Sequence, residues 1–419
     1  MHIQDLPIEI FKVLLQHVAC ALDVELALRL RLISKLFANE MTEAIISTDA
    51  LDEVCEDALA LYMGIFSCGR ELRVTRCPDE SLKARYLYSR AQREPHGSDD
   101  FIDHLRLIVA EFVSKTRGRY DYDTALRTLC DIVVQTFNLS VALTDNPMFF
   151  ISDERYSPTQ ACLSVACGLG DLDVVTTLLS EHDVKINPTE PKHFLSLPIR
   201  PAVRGGHKAI VDYLLQHGSR IEADSLDKTV WTIVHDSILN REPAMLAFLL
   251  EKELAFPERE QCAGERLGSA YEDALITAAY QDNDVAFNIL VERGPIKAPF
   301  PEPLQQLVLM AACEGRSLAI ARRIFEMNPA LDPNYDLKGF VSRRPDIPLD
   351  KQRQCPLQAA AQWGSMPLVQ LLLNHGADPN WSNGNGGSAL YRAASQGYDR
   401  CKDMLLRAGA DADEIAPLG

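Results

Sequence analysis

Side chains that could bind a metal or act as nucleophiles are scattered along the chain rather than grouped. The sequence contains ten histidines and eleven cysteines, and no Cys-x-x-Cys pair occurs among them. Cys162 and Cys167 lie five residues apart, each on an apolar helical pattern. A zinc site would need further Cys or His ligands at close spacing, and the sequence offers none. We therefore expect no metal site, and reduced cysteines that pack in the interior.

The glycine-rich and acidic stretches do not form a catalytic motif either. Gly384–Ser388 precedes a helical pattern, an arrangement that can hold phosphate at a helix N-terminus. Because it lacks both a Gly-Lys-Ser/Thr sequence and a preceding strand, we interpret it as a flexible loop with Ser388 as helix cap. No Gly-x-Ser-x-Gly nucleophile elbow occurs. The sequence predicts no catalytic residues, no cofactor and no enzymatic activity, since an enzyme would need an acid, a base and a nucleophile hidden within residues 50–150.

Composition and charge restrict the class of protein and its partners. The apolar fraction is 47% and the mean hydropathy is near zero, which is typical of a folded soluble chain. A formal net charge of −17 argues against binding to nucleic acid or to an anionic membrane. The N-terminus lacks the regions of a signal peptide, and no apolar run is long enough for a membrane-spanning helix. We expect an intracellular protein, in the cytoplasm, the nucleus or both.

Two segments near the C-terminus repeat each other, since residues 355–364 align without a gap on residues 388–397. Leu357 falls on Leu390, Ala360 on Ala393, Gly364 on Gly397, Leu372 on Leu405, Gly376 on Gly409 and Asp378 on Asp411. The alanines allow two helices to approach closely, and the glycines stand where a left-handed residue ends a helix. One such unit cannot bury its own apolar face, so it needs stacked neighbours.

The pattern closely resembles the ankyrin-repeat family. The residues that carry the resemblance are Pro356-Leu357-x-x-Ala360-Ala361-x-x-Gly364, then Leu371-Leu372-Leu373 and Gly376-Ala377-Asp378. The fixed period of the two segments equals the length of one ankyrin unit, a β-turn followed by two helices. The resemblance implies an all-α fold, an ankyrin-repeat solenoid of about seven helix-turn-helix units over residues 151–415, with a long loop insert at 328–353.

Two units depart from the pattern, and three histidines are explained by it. In the third unit Arg241 stands where glycine is expected, so we expect Asn240 to supply the left-handed turn. The fifth unit, with Gly315 at the turn, is expected to carry one extra residue before the second helix. His207, His217 and His375 occupy recurring repeat positions, which favours structural roles over catalytic ones.

The N-terminal residues resemble a second family. Leu6-Pro7-x-Glu9-Ile10, followed by Leu28–Ser34 and Lys35-x-Phe37, looks like an F-box over roughly residues 4–45, within a helical module at 1–50. The resemblance implies docking on the Skp1 adaptor of a cullin ubiquitin ligase through Leu6, Pro7, Ile10 and Leu14. The two halves of the motif lie about four residues further apart than in a typical F-box. The alternative is an ordinary helical hairpin that caps the next part of the chain.

Residues 51–150 are interpreted as a helical linker or capping region. Phe101, Leu105, Ile108 and Phe112 form one helical stripe, and Leu126, Leu129, Val133 and Phe137 form another. These stripes predict two antiparallel helices ahead of the repeats. Degenerate ankyrin units and a separate linker both remain open for this region.

Large side chains at solvent-facing repeat positions are the candidate binding residues. In ankyrin proteins the fingers between repeats and the first helices form the concave binding face, and Trp, Tyr and Arg most often anchor interfaces. The residues selected in this way are Trp363, Trp381, Asn383, Tyr391, Arg392 and Gln396. The alternative is that one or two of them pack on neighbouring repeats.

The sequence as a whole therefore predicts a non-catalytic protein–protein interaction protein. If the N-terminal module is a working F-box, the chain is a substrate-recognition adaptor of a Skp1–cullin–F-box ubiquitin ligase, and the ankyrin face holds the target. The alternative is an ankyrin scaffold or inhibitor with no ubiquitin link. The combination resembles F-box and ankyrin-repeat proteins of filamentous fungi, and we expect a monomer outside its complexes.

Overall fold

The structure is a computed structural model of the chain. The described residues are 8–21, 35–47, 80–93, 100–136, 158–181, 184–187, 197–220, 222–223, 231–252, 270–335, 355–381 and 387–413. The chain divides into two compact units, Met1–Arg220 and Ile221–Gly419. Among the described residues no helix is long and apolar enough to cross a membrane.

The first unit is helical throughout its described part. It contains α1 (Ile8–Ala21), α2 (Lys35–Ser47), α3 (Glu80–Gln92), α4 (Asp100–Lys115), α5 (Tyr122–Thr136), α6 (Pro158–Leu169), α7 (Leu172–Glu181), α8 (Ile199–Arg204) and α9 (Lys208–Gln216). From α6 onward the helices form pairs, α6 with α7 and α8 with α9, and the first helices α6 and α8 pack against each other. Stacked helical pairs of this kind were predicted from the repeat pattern.

The second unit begins with a two-residue hairpin and continues as helical pairs. Its elements are β1 (Glu222–Ala223), β2 (Trp231–Thr232), α10 (Ile233–Leu239), α11 (Pro243–Glu251), α12 (Ala270–Tyr280), α13 (Asp284–Arg293), α14 (Glu302–Gly315), α15 (Leu318–Met327), α16 (Pro356–Gln362), α17 (Met366–Asn374), α18 (Ala389–Ser395) and α19 (Asp399–Arg407). The two strands pair antiparallel, with Glu222 opposite Thr232 and Ala223 opposite Trp231. The first helices α10, α12, α14, α16 and α18 pack in series, each against the next.

One backbone hydrogen bond recurs at the turn between the two helices of a pair. A residue in the left-handed conformation ends the first helix, and the next residue donates its N–H to the carbonyl five residues earlier. Gly364 has φ +64°, and the Ser365 N–H reaches the Ala360 carbonyl at 3.0 Å. The same bond joins His207 to Ala202 at 2.9 Å. Gly206 and Gly364 therefore have the predicted left-handed conformation.

Non-glycine residues take the left-handed position in three pairs of the second unit. These residues are Arg241, Asp282 and Arg316, with φ of 54°, 51° and 62°. The expectation that Asn240 would supply the turn is wrong, because the Glu242 N–H donates to Ser237 and this bond fixes Arg241 as the left-handed residue. The repeat geometry overrides the local cost of about 1–2 kcal/mol for a residue with a Cβ atom.

The prediction of one extra residue in the fifth repeat is also wrong. Gly315 is the last residue of α14, Arg316 makes the turn, and the Ser317 N–H donates to Ala312 at 2.7 Å. Ala312 therefore corresponds to Ala360, one residue later than the sequence pattern suggested, and the two helices keep the standard spacing. A Cβ atom on Gly315 would lie 2.4 Å from the Tyr280 carbonyl oxygen. Close approach to the preceding repeat, and not the turn, requires glycine here.

Asparagine side chains tie the end of one repeat to the next. Asn380 Nδ2 donates to the Gly409 carbonyl at 2.8 Å, and its Oδ1 accepts the Asp411 N–H at 2.8 Å. Asn334 makes the same two bonds, to the Gly376 carbonyl at 2.9 Å and from the Asp378 N–H at 2.7 Å. Each bridge satisfies backbone groups that the helix end leaves open. These asparagines were not among the residues predicted from the sequence.

Asn334 belongs to the region 328–353 that was predicted as a long loop insert, and its hydrogen bonds fix the start of this region against the next repeat. Residues 328–335, which belong to that predicted range, carry buried Leu331 and Tyr335 and pack against the core of the second unit. The remaining part, residues 336–354, lies outside the described residues. The bridge from Asn334 to the next repeat keeps the geometry found at Asn380, so the stacking of α14 on α16 follows the common pattern.

The two helical stripes ahead of the repeats are confirmed where the structure describes them. Leu105, Ile108 and Phe112 of α4 are fully buried, as are Leu126, Leu129 and Val133 of α5, while Phe137 lies outside the described residues. Both helices pack on α6, and the Cys162 thiol of α6 donates to the Ile108 carbonyl at 3.8 Å. This helical pair thus covers the face of α6 that would otherwise be open within the first unit.

Arginines close the ends of the helices that precede α4. Arg106 Nε donates to the Ala91 carbonyl at 3.0 Å and Nη2 to the Arg93 carbonyl at 2.5 Å, so both bonds cap the end of α3. Arg93 Nη2 in turn donates to the Ile46 carbonyl near the end of α2 at 2.6 Å. A cation at a helix C-terminus satisfies open carbonyls and opposes the negative end of the helix dipole.

A buried carboxylate joins the α4–α5 loop to the first repeat. Asp171 caps α7, because its Oδ1 accepts the Val174 N–H at 3.1 Å. The Tyr120 hydroxyl donates to Oδ2 at 2.6 Å, and Arg119 Nη2 lies 3.0 Å from the same oxygen. Burial alone would raise the pKa of Asp171, but the bonds from Tyr120 and Val174 and the charge of Arg119 outweigh burial and lower it. Burial, with the bond to Asp171, raises the pKa of Tyr120 to about 12.

Replacing Arg316, whose backbone has a left-handed conformation, by glycine should stabilise the chain. Arg316 is exposed, and Arg316→Gly relieves about 1–2 kcal/mol of backbone strain against about 0.4–1 kcal/mol of added unfolded-state entropy. We expect the free energy of unfolding to rise by about 0.5–1 kcal/mol in urea titrations. Arg322→Gly, at an exposed position inside α15, is the matched control and should lower it by about 1 kcal/mol. A loss of stability in Arg316→Gly would contradict the assignment of the turn.

The Asp171 site predicts a pH-dependent contribution to stability. The folded pKa of Asp171 lies below its ordinary value of 3.8, so its contribution is fully present above pH 3.8 and is lost as the pH falls through the folded pKa. We expect Asp171→Asn to lower the free energy of unfolding at pH 7 by about 1–3 kcal/mol, because the buried network loses its negative charge and one of its two acceptor oxygens.

The difference between wild type and Asp171→Asn should shrink as urea titrations are repeated below about pH 4. Asp173→Asn, two residues along at a position whose side chain is 85% exposed, is the control and should leave stability nearly unchanged. An equal loss at pH 7 and at acid pH would show that Asp171 acts through its shape and not through its charge.

Candidate protein-binding surface

The candidate surface is built on the first helices of the last two repeats, α16 and α18. Trp363 follows α16 as its C-terminal cap, and its side chain is 38% exposed. Tyr391 lies in the first turn of α18 and is 37% exposed. Arg392 and Gln396 are found on the same helix, Arg392 half-buried within it and Gln396 as its C-terminal cap. These four predicted residues are thus brought to one pair of neighbouring helices.

A hydrogen bond between the repeats links the polar members of this surface. Arg392 Nη1 donates to Gln362 Oε1 at 2.8 Å, so the guanidinium group of one repeat is held by the residue next to Trp363 in the preceding repeat. Gln396 follows Arg392 by four residues and therefore lies on the same side of α18. Gln362 was not among the residues predicted from the sequence, because its role depends on a neighbour 30 residues away.

The other two predicted finger residues are placed differently. Trp381 is half-buried and packs against the hydrophobic core of the second unit. This agrees with the alternative interpretation, in which one or two of the candidate residues pack on neighbouring repeats. Its carbonyl oxygen lies 3.5 Å from Gln358 Nε2. Asn383 lies outside the described residues.

Tyr391 is exposed because it occupies the position that faces the next repeat. At the corresponding position of the preceding repeat, Gln358 bonds across the stack. The Nε2 of Gln358 donates to the Gly387 carbonyl at 2.9 Å, and its Oε1 accepts the Cys355 N–H at 3.0 Å. No described helix follows α19, so the Tyr391 ring meets solvent on that side and packs only in part, against Gly387.

Lys402 gives the last described repeat a polar outer face. The corresponding position of the preceding repeat is Val369, which is fully buried, and Phe287 and Ala321 are buried at the same position of earlier repeats. Lys402 instead bonds to Asp399 Oδ1 at 3.0 Å, and this bond raises the pKa of Lys402. A terminal repeat with a polar outer face is what a helical stack needs for solubility.

Three histidines at recurring repeat positions each contact a backbone carbonyl. His217 Nδ1 lies 2.7 Å from the Tyr213 carbonyl, and His375 Nδ1 lies 2.9 Å from the Leu371 carbonyl. His207 Nε2 reaches the Gly168 carbonyl of the preceding repeat at 3.0 Å. Each bond joins the ring to a helix-end carbonyl, so the structural roles predicted from the repeat positions are confirmed.

The described cysteines are buried thiols. They are Cys130, Cys162, Cys167, Cys313, Cys355 and Cys401, and none of them forms a disulfide. Burial raises the pKa of Cys162 to about 12 and that of Cys355 to about 11. The described residues contain no group of three or more His, Cys, Asp or Glu side chains that could hold a metal ion. Thiolate chemistry at neutral pH is disfavoured at these positions.

A second apolar surface lies on α1 in the first unit. Phe11 and Leu15 of this helix are buried, and α1 packs against α2, while Val13 and Leu14 are 52% and 37% exposed. Ile10 lies in α1, but its side chain is outside the described residues, as are Leu6 and Pro7. Of the four residues assigned to Skp1-type binding, only Leu14 has a described side chain.

Comparison with known proteins identifies the repeats. The family described as ankyrin repeats matches in three copies, over residues 163–261 and 337–415. Cortactin-binding protein 2 of Rhinolophus ferrumequinum is 47% identical over 58 residues, which are 14% of this chain and 4% of that protein. Cortactin-binding protein 2 of Mus musculus is 33% identical over 121 residues, 29% of this chain and 6% of that protein. The chain thus spans only a small part of the length of these relatives.

Two solved structures are also similar. The ankyrin repeat domain of human ASB11 has a TM-score of 0.41 and 20% identity, covering 59% of this chain and 98% of that domain. The ankyrin repeat domain of Bcl-3 has a TM-score of 0.34 and 22% identity, covering 52% of this chain and 88% of that domain.

Replacing Lys402 by an apolar residue should make the chain self-associate. Lys402→Val replaces the charged side chain of this face by the residue that is buried at the same position of the preceding repeat, Val369, and we expect oligomers in sedimentation-velocity runs at concentrations where the wild type sediments as one species. Lys297→Val, the same change at an exposed loop position, is the control. Identical sedimentation of Lys402→Val and wild type would contradict the assignment of this face as the end of the stack.

Residues 163–261 and 337–415 match the ankyrin-repeat family, and the described helical pairs within each unit have the geometry of its two-helix repeat. The described repeats have the all-helical ankyrin-repeat solenoid fold predicted from the sequence, to which the structure adds the short β1–β2 hairpin.

Proposed function

We propose that this protein binds a target protein through the fingers and first helices of its ankyrin repeats and docks on a Skp1-type adaptor through its N-terminal helices. It would then act as a substrate-recognition adaptor of a Skp1–cullin–F-box ubiquitin ligase, and other subunits would catalyse ubiquitin transfer. The proposed organisation is an F-box-like module at 1–50, a helical linker or cap at 51–150 and repeats at 151–415. The chain itself would be monomeric and non-catalytic.

The observation that carries the proposal is the group of exposed anchor residues on α16 and α18. Trp363 and Tyr391 are among the few exposed large apolar side chains of the described residues, and Arg392 is fixed between the two repeats. Large rings and arginine supply most of the binding energy at protein interfaces. Because packed helices hold them, little side-chain freedom would be lost on binding.

Exposed apolar residues on α1 support the adaptor half of the proposal. Val13 and Leu14 are open to solvent on the side of α1 that its buried residues Phe11 and Leu15 leave free. A helix with one apolar face packed on its neighbour and apolar residues exposed elsewhere suits a partner that covers the second face. Leu14 belongs to the set that the F-box resemblance assigns to Skp1.

The second candidate is an ankyrin scaffold or inhibitor without a ubiquitin link. Two observations favour it: the family match covers repeats only, and the two halves of the F-box-like motif are about four residues further apart than usual. In this case the helices at the N-terminus would only cover neighbouring parts of the chain.

Binding to purified Skp1 separates the two candidates. We expect the full chain to bind immobilised Skp1, and Pro7→Asp and Leu14→Asp each to weaken binding by roughly tenfold or more, because a charge would be buried in an apolar contact. Val285→Asp is the matched control, since Val285 is 51% exposed on α13 and lies outside the N-terminal module.

Absence of Skp1 binding by the full-length wild-type chain would remove the adaptor role and leave the scaffold or inhibitor role. Equal binding by wild type, Leu14→Asp and Val285→Asp would show that the contact does not use α1. Circular dichroism of each variant establishes that the helices are retained, so that a loss of binding reports on the contact itself.

A further inference from the structure

The backbone leaves three repeats of the second unit through the same turn. Asp332, Asp378 and Asp411 each accept, at Oδ1, the N–H of the residue two positions later, at 2.8, 2.9 and 3.0 Å. In the last described repeat that later residue is Asp413, the final residue that the structure describes. The chain therefore has the same direction at Asp413 as at the end of the two earlier repeats.

After this turn the chain contacts the first helix of the repeat that it has just left. Tyr335 is 8% exposed, and its hydroxyl donates to the Gln306 carbonyl on α14. In the following repeat, Gln358 Nε2 on α16 lies 3.5 Å from the Trp381 carbonyl and donates to the Gly387 carbonyl at 2.9 Å. The side of the first helix that carries Gln358 is thus covered by the chain that leads out of the repeat.

The same side of α18 is open among the described residues. Tyr391 stands at the position of Gln358, and it is 37% exposed where Gln358 is 1% exposed. Ala394 is half-buried, whereas Ala361 at the corresponding position is fully buried. An aromatic ring and a methyl group therefore remain in contact with water at the place that the outgoing chain covers in the preceding repeat.

The residues that follow Asp413 suit this place in length and chemistry. Residues 414–419 read Glu-Ile-Ala-Pro-Leu-Gly and lie outside the described residues. Six extended residues reach about 20 Å, and the seven-residue helix α18 is about 10 Å long. Four consecutive residues of the segment are apolar, and Pro417 restricts the unbound chain, which lowers the entropy lost on ordering it.

We infer that residues 415–418 pack on Tyr391 and Ala394 and cover the open side of α18. Ile415 and Leu418 contact the Tyr391 ring, so the segment takes the place that residues 381–387 hold against α16. Tyr391 is also an anchor residue of the proposed target surface. A target that uses this ring therefore displaces the segment, and this consequence, unlike the contact itself, rests on the proposed function.

Hydrogen exchange measured by mass spectrometry on the full chain tests the contact. Replacing the two large apolar residues together, Ile415→Ser with Leu418→Ser, removes the cover from α18. We expect the α18 amides to exchange about threefold faster or more, because local opening becomes easier, while peptides from α12 keep their wild-type exchange. Val285→Ser is the matched control, since it replaces an exposed apolar residue on α13 and should leave exchange in α18 unchanged.

A second background shows whether the segment acts through the ring. Tyr391→Gln introduces the residue found at the same position of the preceding repeat, so the helix keeps a side chain that this position accepts. In this background we expect the paired serine substitutions to change exchange in α18 by less than about twofold, because the two sets of substitutions remove the same contact.

The result that supports the inference is faster exchange of α18 in the serine variant, with little further change once Tyr391 is replaced. Equal exchange in the serine variant and the wild type overturns it. An undiminished effect in the Tyr391→Gln background also overturns it, since the segment would then act elsewhere. All measurements use the chain without partners, so neither result decides whether it binds Skp1 or a target.

Discussion

Each helical pair of the repeats leaves one apolar face that only the next pair can cover. The first helices pack through small residues such as Ala360, Ala361 and Ala393, which are fully buried and allow the backbones to approach closely. A single pair could not hold this arrangement in water, because too little apolar surface would be removed from solvent. Stacking is therefore the constraint that sets the spacing of every turn and every finger in both units.

Backbone closure at the turns makes the stacking uniform. The same hydrogen bond from the residue after the left-handed position forms whether that position holds Gly364, Asp282 or Arg316. Asn334 and Asn380 then fix the start of one repeat against the end of the next with paired amide bonds. Because these bonds use backbone groups, the outer side chains of the helices are left to vary with function. The exposed rings on α16 and α18 are an example of that freedom.

Within each unit, the outermost described repeat differs from the inner ones for the same reason. Lys402 stands at the position that holds a buried apolar residue in the inner repeats, and Tyr391 stands at the position of Gln358, whose side chain bonds to the next repeat. Both differ from the inner residues because no described repeat covers them. In the first unit, α4 and α5 cover α6, and the Asp171 network joins their loop to the first repeat. The apolar faces of these repeats are thus either covered by a neighbouring helix or made polar at their edge.

The amino-acid sequence by itself determined the repeat, its period and the residues that face the core, because small, apolar and glycine positions recur at fixed spacing. It also located the helical stripes of α4 and α5, although it left open whether they are degenerate repeats. Only the tertiary structure decided that Arg241 and Arg316 adopt left-handed conformations, since packing between repeats outweighs local preference there. It also decided that Gln362 holds Arg392 and that Trp381 packs inward, because these contacts join residues from different repeats, which no local pattern encodes.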